Sequence, residues 1–287
     1  MPEHVTLYEV GPRDGLQNEK RVIATADKIA LIDKLSACGF EKIEATSFVS
    51  PKWVPQMADA AEVLAGIARK PGVTYAALTP NMQGYVAAHN ARADEVAVFA
   101  SASEGFSRAN INASIAESLE RFRPVVAAAR ADGVPVRGYV SCVTDCPYDG
   151  PTPPGKVAEV TAALLEMGCF EVSLGDTIGA AVPDTVRAML DAVTEVAPVA
   201  RLAGHFHDTH FRALDNIRVC LDYGLRVFDA SIGGLGGCPY APGAKGNVAT
   251  EAVIHLLHDL GYETGIDEKS LAPVAAFART LRSEERP

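Results

Sequence analysis

The chain has 287 residues, of which 48% are hydrophobic and 22% charged, and its formal net charge is −10. This length is greater than that of most single sandwiches or bundles and is typical of one α/β barrel. The acidic charge argues against non-specific nucleic-acid binding. The sequence contains no run of about 18 apolar residues, so we expect no membrane span.

The N-terminal residues 1–5 lack the basic region and apolar core of a secretory signal. We therefore expect a cytoplasmic protein whose six cysteines are reduced thiols. Cys142 and Cys146 form a C-x3-C pattern with no second pair to complete a zinc site, so we interpret them as loop thiols.

Short apolar stretches alternate with amphipathic stretches along the whole chain, and they predict strands and helices in turn. Thr25 is the expected N-cap of the first helix, and Gly39 is expected to end it. The predicted strands are 5–10, 42–46, 73–78, 95–100, 134–141, 171–174, 200–207 and 227–231, and the predicted helices are 26–38, 57–68, 82–90, 114–132, 155–167, 183–196, 211–223 and 250–260.

Successive strand-then-helix units of about 30 residues predict a single (β/α)8 TIM barrel spanning residues 1–287. A doubly wound sheet is the alternative, but the Gly-x-Gly-x-x-Gly pattern that would favour it is absent after the first strand. In a barrel, the catalytic residues lie at the carboxyl ends of the strands. This rule directs attention to the residues that follow each strand.

The first two strands end in charged residues. Arg13 and Asp14 follow the first strand, and at a barrel mouth the carboxylate is suited to a cation and the guanidinium to an oxyanion. Glu44 lies within the second strand, where a lone carboxylate is costly unless it is paired. A purely structural pair between Glu44 and Arg13 is the alternative interpretation. Asp176 is a further acid, at the end of the sixth strand.

The seventh strand ends with His205 and His207, whose i, i+2 spacing places both imidazoles on one face. Together with Asp14 and the amide carbonyl of Asn247 they form a mixed nitrogen and oxygen ligand set. Hard oxygen ligands favour Mg²⁺ or Mn²⁺ over tetrahedral zinc. The sequence therefore predicts a divalent metal site with open positions for substrate oxygens.

A glycine-rich segment, residues 233–246, follows the eighth strand and contains Cys238. Glycines at this density permit unusual backbone angles and hinge motion, and a cysteine above a cation site is suited to acid–base chemistry. A plain connection with an inert thiol is the alternative. Because the segment lies at the predicted active end of the barrel, we interpret it as an active-site lid.

Several longer stretches are distinctive in themselves: 9–19 (EVGPRDGLQNE), 46–57 (TSFVSPKWVPQM), 137–142 (RGYVSC), 173–179 (SLGDTIG) and the glycine-rich 234–247. Together they resemble the motifs of the 3-hydroxy-3-methylglutaryl-CoA lyases, and the resemblance extends over nearly the whole chain. It implies a metal-dependent TIM-barrel lyase that cleaves 3-hydroxy-3-methylglutaryl-CoA to acetyl-CoA and acetoacetate.

The resemblance also implies roles for individual residues. The metal ligands of the family correspond to Asp14, His205, His207 and Asn247. Its catalytic residues correspond to Arg13, Glu44, Asp176 and Cys238. The matching motifs further imply substrate binding by Arg13, Gln17, Lys20 and Ser47.

The implied reaction is a retro-Claisen cleavage. A base removes the proton of the C3 hydroxyl, the C2–C3 bond breaks, and Arg13 stabilises the enolate that forms on the thioester oxygen. Cys238 is the expected acid that protonates the acetyl-CoA carbon. Asp176, Glu44 or a bound water remain alternatives for the base.

Coenzyme A is a polyanion, so a chain of this charge needs local cations to bind it. Lys20, Lys52 and Arg108 are the candidates, with solvated surface charges as the alternative. The sequence departs from the resemblance at residues 210–212, where His-Phe-Arg replaces the usual Tyr-Gly-Gln. This departure keeps open a related substrate, such as the 3-isohexenyl analogue.

Two other functions remain as alternatives: an acyl-CoA condensing enzyme of the isopropylmalate-synthase type, and a metal-stabilised barrel that binds acyl-CoA without turnover. Condensing enzymes of that type usually continue into further domains, and the glycine-loop cysteine favours the lyase. A homodimer is expected only from the general frequency of twofold assemblies.

Overall fold

The computed structural model describes residues 2–236 and 246–282. Ten strands form within these ranges: β1 (Thr6–Glu9), β2 (Lys42–Ser47), β3 (Thr74–Leu78), β4 (Glu95–Ser101), β5 (Val136–Ser141), β6 (Asp145–Cys146), β7 (Gly150–Pro151), β8 (Glu171–Asp176), β9 (Leu202–Phe206) and β10 (Val227–Ala230). Eight of them close a parallel barrel in the order β1-β10-β9-β8-β5-β4-β3-β2, which confirms the predicted TIM barrel. The other two, β6 and β7, pair as a small antiparallel hairpin at the barrel mouth.

The α-helices form the outer layer, and their apolar faces cover the strands. They are α1 (Thr25–Ala37), α2 (Ala60–Gly66), α3 (Met82–Asn90), α4 (Glu104–Ile111), α5 (Ile115–Ala131), α6 (Pro154–Met167), α7 (Pro183–Thr194), α8 (Ala213–Asp222), α9 (Thr250–Asp259) and α10 (Glu268–Thr280). Shorter helical turns cover Gly11–Gly15, Pro55–Met57, Val199–Arg201 and Ile232–Gly234.

Two helices were not predicted. α4 begins after Ser103, whose hydroxyl accepts a hydrogen bond from the backbone N–H of Phe106, and ends at Asn112 with a left-handed φ of 50°. α10 follows the eighth strand–helix unit and packs against α1 and the turn Ile232–Gly234. Both lie outside the regular alternation on which the prediction was based.

The predicted cap of the first helix was wrong. Ala24 occupies the N-cap position, and no side chain caps the helix there. Thr25 is the first helical residue, and its hydroxyl donates to Asp59 over 2.8 Å. Gly39 follows the helix with φ +99°, as expected for a glycine that ends one.

The interior of the barrel is charged below the mouth. Arg137 is fully buried and pairs with Glu171 at 2.7 Å and with Asp229 at 2.8 Å. Its guanidinium also lies over the ring of Tyr8, 4.1 Å from the centroid. Alternate residues of parallel strands point inward, so β5, β8 and β10 bring these charges together. This charged layer supports the residues at the mouth directly above it.

Candidate active site

A cavity of about 860 Å³ opens at the carboxyl ends of the strands. Arg13, Asp14 and Gln17 line it after β1, and His205 and His207 line it at the end of β9. Strand β5 contributes Tyr139, Val140 and Ser141, and the unpredicted α4 contributes Phe106 and Ile111. Three of the four residues predicted to bind the metal therefore line a cavity at the end of the barrel where an enzyme of this fold is expected to bind substrate.

A tight helical turn holds Arg13 and Asp14 in place. The carbonyl of Val10 accepts hydrogen bonds from the N–H groups of Arg13, Asp14 and Gly15, at 3.2, 2.8 and 3.1 Å. A Cβ on Gly15 would lie 2.7 Å from the Cβ of Leu235, so only glycine allows this turn to pack against the 232–235 segment. The motif that follows β1 thus fixes a cation and an anion beside each other.

Arg13 lies between two carboxylates. Its Nε donates to Glu44 at 2.6 Å and its Nη1 donates to Asp14 at 2.5 Å. The guanidinium is almost fully buried, and its Nη2 makes no hydrogen bond within the described residues. Burial alone would lower the pKa of Arg13, but Glu44 and Asp14 raise it above its usual range. Arg13 is therefore a permanent cation with one amino group left for the cavity.

The structure brings together three of the four residues that were predicted to bind a metal. One ligand atom each from Asp14, His205 and His207 lies within 4.8 Å of the other two. The Nδ1 of His205 lies 3.1 Å from Asp229, which leaves its Nε2 for the cavity. The Nδ1 of His207 is buried and has no hydrogen-bond partner in the described structure. A cation would satisfy this otherwise costly atom.

Asn247, the fourth predicted ligand, lies beside this cluster. Its backbone pairs with His207 in an antiparallel bridge, and its amide Nδ2 donates to Asp14 at 2.7 Å. The side-chain carbonyl oxygen is the atom that remains for a cation. The residues just after the glycine-rich segment thus return the chain to the metal-ligand cluster.

The electrostatics of the cluster favour metal binding. Burial would raise the pKa of Asp14, but Arg13 and the two histidines hold it below its usual range. Burial, helped by His205, lowers the pKa of His207 to about 4. Burial would also lower the pKa of His205, but the hydrogen bond to Asp229 raises it. An ionised carboxylate beside a neutral imidazole suits a divalent cation.

The other predicted catalytic residues lie away from the cavity wall or outside the described residues. Glu44 is fully buried behind Arg13, and burial raises its pKa against the pull of Arg13. Asp176 accepts the N–H groups of Ala180 and Ala181 at 3.1 Å, and burial raises its pKa to about 7. Cys238 lies in the 237–245 segment, outside the described residues.

The predicted substrate-binding residues also divide into those that line the cavity and those that do not. Gln17 lines the cavity, and its amide donates to Asp14 at 3.1 Å. Ser47 is fully buried, and its hydroxyl donates to the carbonyl of Leu78 at 3.4 Å. Lys20 is exposed and is not among the residues that line the cavity. Of these three, only Gln17 contacts the space where a substrate would bind.

Sequence reasoning missed the residue that orients His205. Asp229 on β10 accepts from the hydroxyl of Ser173 at 2.8 Å and lies 3.1 Å from His205. Arg137 and the hydrogen bond from His205, against the effect of burial, lower the pKa of Asp229 to about 2. An acid inside a strand is the only sequence signal of such a role, and Glu44 gave the same signal.

Tyr139 is a second residue that the sequence did not single out. Its ring lines the cavity, with the guanidinium of Arg13 5.8 Å from its centroid. The segment that departs from the family pattern, residues 210–212, is exposed and does not line the cavity. The shape of the cavity is therefore set by other residues.

Comparison with known proteins places this geometry in a family. The HMGL-like family model matches residues 4–277. This chain belongs to the HMGL-like family. The family resemblance inferred from the motifs is thereby confirmed.

Several relatives of known name align with this chain over most of their own length. A curated relative from Pseudomonas aeruginosa, named 3-hydroxy-3-isohexenylglutaryl-CoA/hydroxy-methylglutaryl-CoA lyase, is 59% identical over 94% of this chain and 90% of its own. The crystal structure of the HMG-CoA lyase from Brucella melitensis is 65% identical, has a TM-score of 0.97 and covers 98% of this chain and 100% of its own. The structure of an HMG-CoA lyase from Acinetobacter baumannii in complex with coenzyme A and 3-methylmalate is 36% identical, has a TM-score of 0.92 and covers 97% and 91%.

The cellular compartment differs among the relatives, whose names include mitochondrial and cytoplasmic lyases. Within residues 2–236 and 246–282, no helix combines the length and apolarity that a membrane crossing requires.

Proposed function

We propose that this protein is a metal-dependent carbon–carbon lyase that cleaves 3-hydroxy-3-methylglutaryl-CoA to acetyl-CoA and acetoacetate. The observation that carries the proposal is the cluster of Asp14, His205 and His207 beside the buried cation Arg13. Relatives at 59% and 65% identity are named for this reaction. Their names do not favour the condensing-enzyme or non-catalytic alternatives.

The cofactor that we propose is Mg²⁺ or Mn²⁺, because Asp14 and Asn247 supply hard oxygen ligands. Such an ion, when bound, polarises the substrate oxygens as a Lewis acid. Asp14, His205, His207 and Asn247 would hold it, with Asp229 fixing the ring of His205.

Arg13 is the residue that we assign to the enolate. Its Nε and Nη1 are held by Glu44 and Asp14, so the guanidinium is already fixed in the cavity wall before charge develops on the substrate. Glu44 then acts by positioning Arg13. Neither Glu44 nor Asp176 lines the cavity, so we propose a water molecule as the base that removes the C3 hydroxyl proton.

Cys238 remains the proposed acid that protonates the acetyl-CoA carbon. It lies in the glycine-rich segment, and the described chain on both sides of that segment borders the metal-ligand cluster. The carbonyl of Leu235 accepts a hydrogen bond from Asn247 at 3.4 Å, and the carbonyl of Gly246 accepts from Asp208 at 2.9 Å. A cytoplasmic location and a homodimer also remain predictions.

The direct test is release of acetoacetate from 3-hydroxy-3-methylglutaryl-CoA, measured with a chelator and after Mg²⁺ or Mn²⁺ is restored. We expect turnover that the chelator abolishes and the metal restores, and its loss in Asp14→Asn. Asp184→Asn is the matched control, because Asp184 is 93% exposed on α7. Cleavage of the 3-isohexenyl analogue alone would change the substrate and keep the mechanism. Turnover of neither would contradict the proposal.

A further inference from the structure

Two arginines line the cavity at the barrel mouth, and they are held in different ways. Arg13 is paired with two carboxylates. Arg121 on α5 is partly buried, and its Nη1 donates to the backbone carbonyl of Ile111 at 3.2 Å. Among residues 2–236 and 246–282 it has no carboxylate within ion-pair distance. Glu117, one helical turn earlier on α5, interacts with it only at longer range, so Arg121 has no direct ion pair in the described wall of the site.

The barrel topology places Arg121 away from the reacting centre. Arg13 follows β1, whereas α4 and α5 follow β4, and β1, β2, β3 and β4 are successive neighbours around the barrel. Ile111 and Asn112, which also line the cavity, lie at the end of α4 beside Arg121. A ligand that spans the mouth from the metal-ligand cluster toward α4 would therefore reach Arg121 with its far end.

The charge of that far end follows from the substrate. Coenzyme A carries a diphosphate and a 3′-phosphate, and a chain with net charge −10 must attract them locally. Guanidinium groups match phosphate oxygens with paired N–H donors. Of the cations that sequence considerations favoured, Lys20 and Lys52 are exposed outside the cavity wall, and Arg108 is exposed and 3.9 Å from Glu104.

We infer that Arg121 binds a phosphate group of the coenzyme A moiety. The inference rests on the proposed function, because it assumes an acyl-CoA substrate. A merely structural role is the competing explanation: Arg121 would only satisfy the last carbonyl groups of α4. The two explanations differ in which ligands are affected when Arg121 is changed.

The experiment compares binding of coenzyme A, 3′-dephospho-coenzyme A and pantetheine to the metal-loaded protein. Trp53 is the single tryptophan of the chain, is 86% exposed and lines the same cavity, so its fluorescence reports occupancy. Calorimetric titration of the same ligands gives the affinities independently. The variant is Arg121→Gln, and the matched control is Arg123→Gln, because Arg123 lies on the same helix, is exposed and pairs with Glu120.

Arg121→Gln is expected to weaken coenzyme A binding about tenfold or more while pantetheine binding is unchanged, since only a charge-assisted hydrogen bond to phosphate is lost. The affinity of 3′-dephospho-coenzyme A assigns the contact: weakened if Arg121 binds the diphosphate, unchanged if it binds the 3′-phosphate. Arg123→Gln should bind all three ligands as the unmodified protein does.

Turnover separates this inference from the proposed function. With 3-hydroxy-3-methylglutaryl-CoA, we expect Arg121→Gln to raise KM about tenfold or more at an unchanged kcat. Equal weakening of all three ligands would support the structural role and overturn the inference, as would unchanged affinity for coenzyme A. If the unmodified protein binds coenzyme A through Arg121 but does not cleave the substrate, only the proposed function fails.

Discussion

At the scale of single residues, the site depends on one guanidinium that is held from two sides. Glu44 and Asp14 accept hydrogen bonds from Nε and Nη1 of Arg13, and its Cζ lies over the ring of Tyr139, 5.8 Å from the centroid. A preorganised donor of this kind does not have to reorient when charge develops on the substrate. Arg13 is therefore the residue whose loss should affect the reaction rate most directly.

Arg13→Gln is expected to lower kcat by at least about 10²–10³, the usual effect of removing one oxyanion donor. The measurement is steady-state cleavage of 3-hydroxy-3-methylglutaryl-CoA, with coenzyme A affinity determined alongside. Arg187→Gln, at an exposed arginine on α7, is the control.

Arg13→Gln also leaves Glu44 without a buried partner, so its fold must be checked by circular dichroism and thermal unfolding. Arg13→Lys retains the cation and serves as the second variant. A folded Arg13→Gln protein with near-normal kcat would exclude Arg13 as the enolate-stabilising residue.

Sequence reasoning at this scale predicted the residues that contact the cavity better than those behind them. Arg13, Asp14, His205 and His207 follow strands, so barrel topology alone brings them together. Asp229 was missed because its contact with His205 depends on the β9–β10 register, in which Asp229 pairs with His205. The register between two strands that are joined through a helix is not encoded in either strand's own pattern.

At the scale of elements, the helical turn Gly11–Gly15 is the part whose shape matters most to the site. It presents Arg13 and Asp14 while its other side packs against Ser231 and Leu235. A turn in which the single carbonyl of Val10 accepts three N–H groups was not predicted from the sequence. That arrangement follows from the close approach of the two segments.

Gly15→Ala should therefore destabilise the fold by about 1–3 kcal/mol and also lower activity, because the new methyl group would lie 2.7 Å from the Cβ of Leu235. The measurements are chemical unfolding and turnover of the same preparation. Gly155→Ala on α6 is the matched control, since a Cβ there meets no atom within 4 Å. It should be neutral or stabilise by up to about 1 kcal/mol. Equal effects of both substitutions would contradict this view of the turn.

The two helices that were not predicted, α4 and α10, were missed for the same reason. α4 has the signals of a helix, with Ser103 at its N-cap and Asn112 after its end, but it spans only Glu104–Ile111. α10 begins with Asp267 as its N-cap, after the last regular unit. Both helices lie outside the strand-then-helix alternation that guided the prediction, α4 as a second helix after β4 and α10 after the eighth unit. Because α4 lines the cavity, the shape of the cavity could not be predicted.

At the scale of the whole molecule, the barrel closes around Glu9. This buried carboxyl at the end of β1 accepts the N–H groups of Gly11 at 2.8 Å and Ile232 at 2.9 Å, and the hydroxyl of Thr250 at 2.6 Å. It thereby links the first strand to the segments that follow the last one. Burial raises the pKa of Glu9 to about 8, despite these hydrogen bonds.

This pKa makes the stability of the barrel depend on pH in a defined direction. The folded protein keeps the proton of Glu9 up to about pH 8, whereas the unfolded chain loses it near pH 4.3. The contribution to stability is therefore fully present below about pH 4 and is lost as pH rises through about 8. Glu9→Gln, which stays neutral and whose amide oxygen can still accept the N–H groups of Gly11 and Ile232, should lack this dependence.

The measurement is the free energy of unfolding of both proteins from pH 5 to pH 9. The difference between them should change with pH by up to about 1.4 kcal/mol per pH unit, to the disadvantage of the unmodified protein at high pH. Glu62→Gln, at an exposed position on α2, should parallel the unmodified protein throughout. Parallel curves for Glu9→Gln would show that Glu9 does not titrate in this range.

The charged layer beneath the mouth has a consequence for how the sequence can change over evolutionary time. Arg137, Glu171 and Asp229 are buried together, so replacing one of them leaves a stranded charge that costs about 3–5 kcal/mol, whereas an apolar replacement of all three could be tolerated by the fold alone. Asp229, however, also orients His205. The three positions are therefore expected to change together rather than independently. A descendant that lost the metal site would also be free to lose the buried charges.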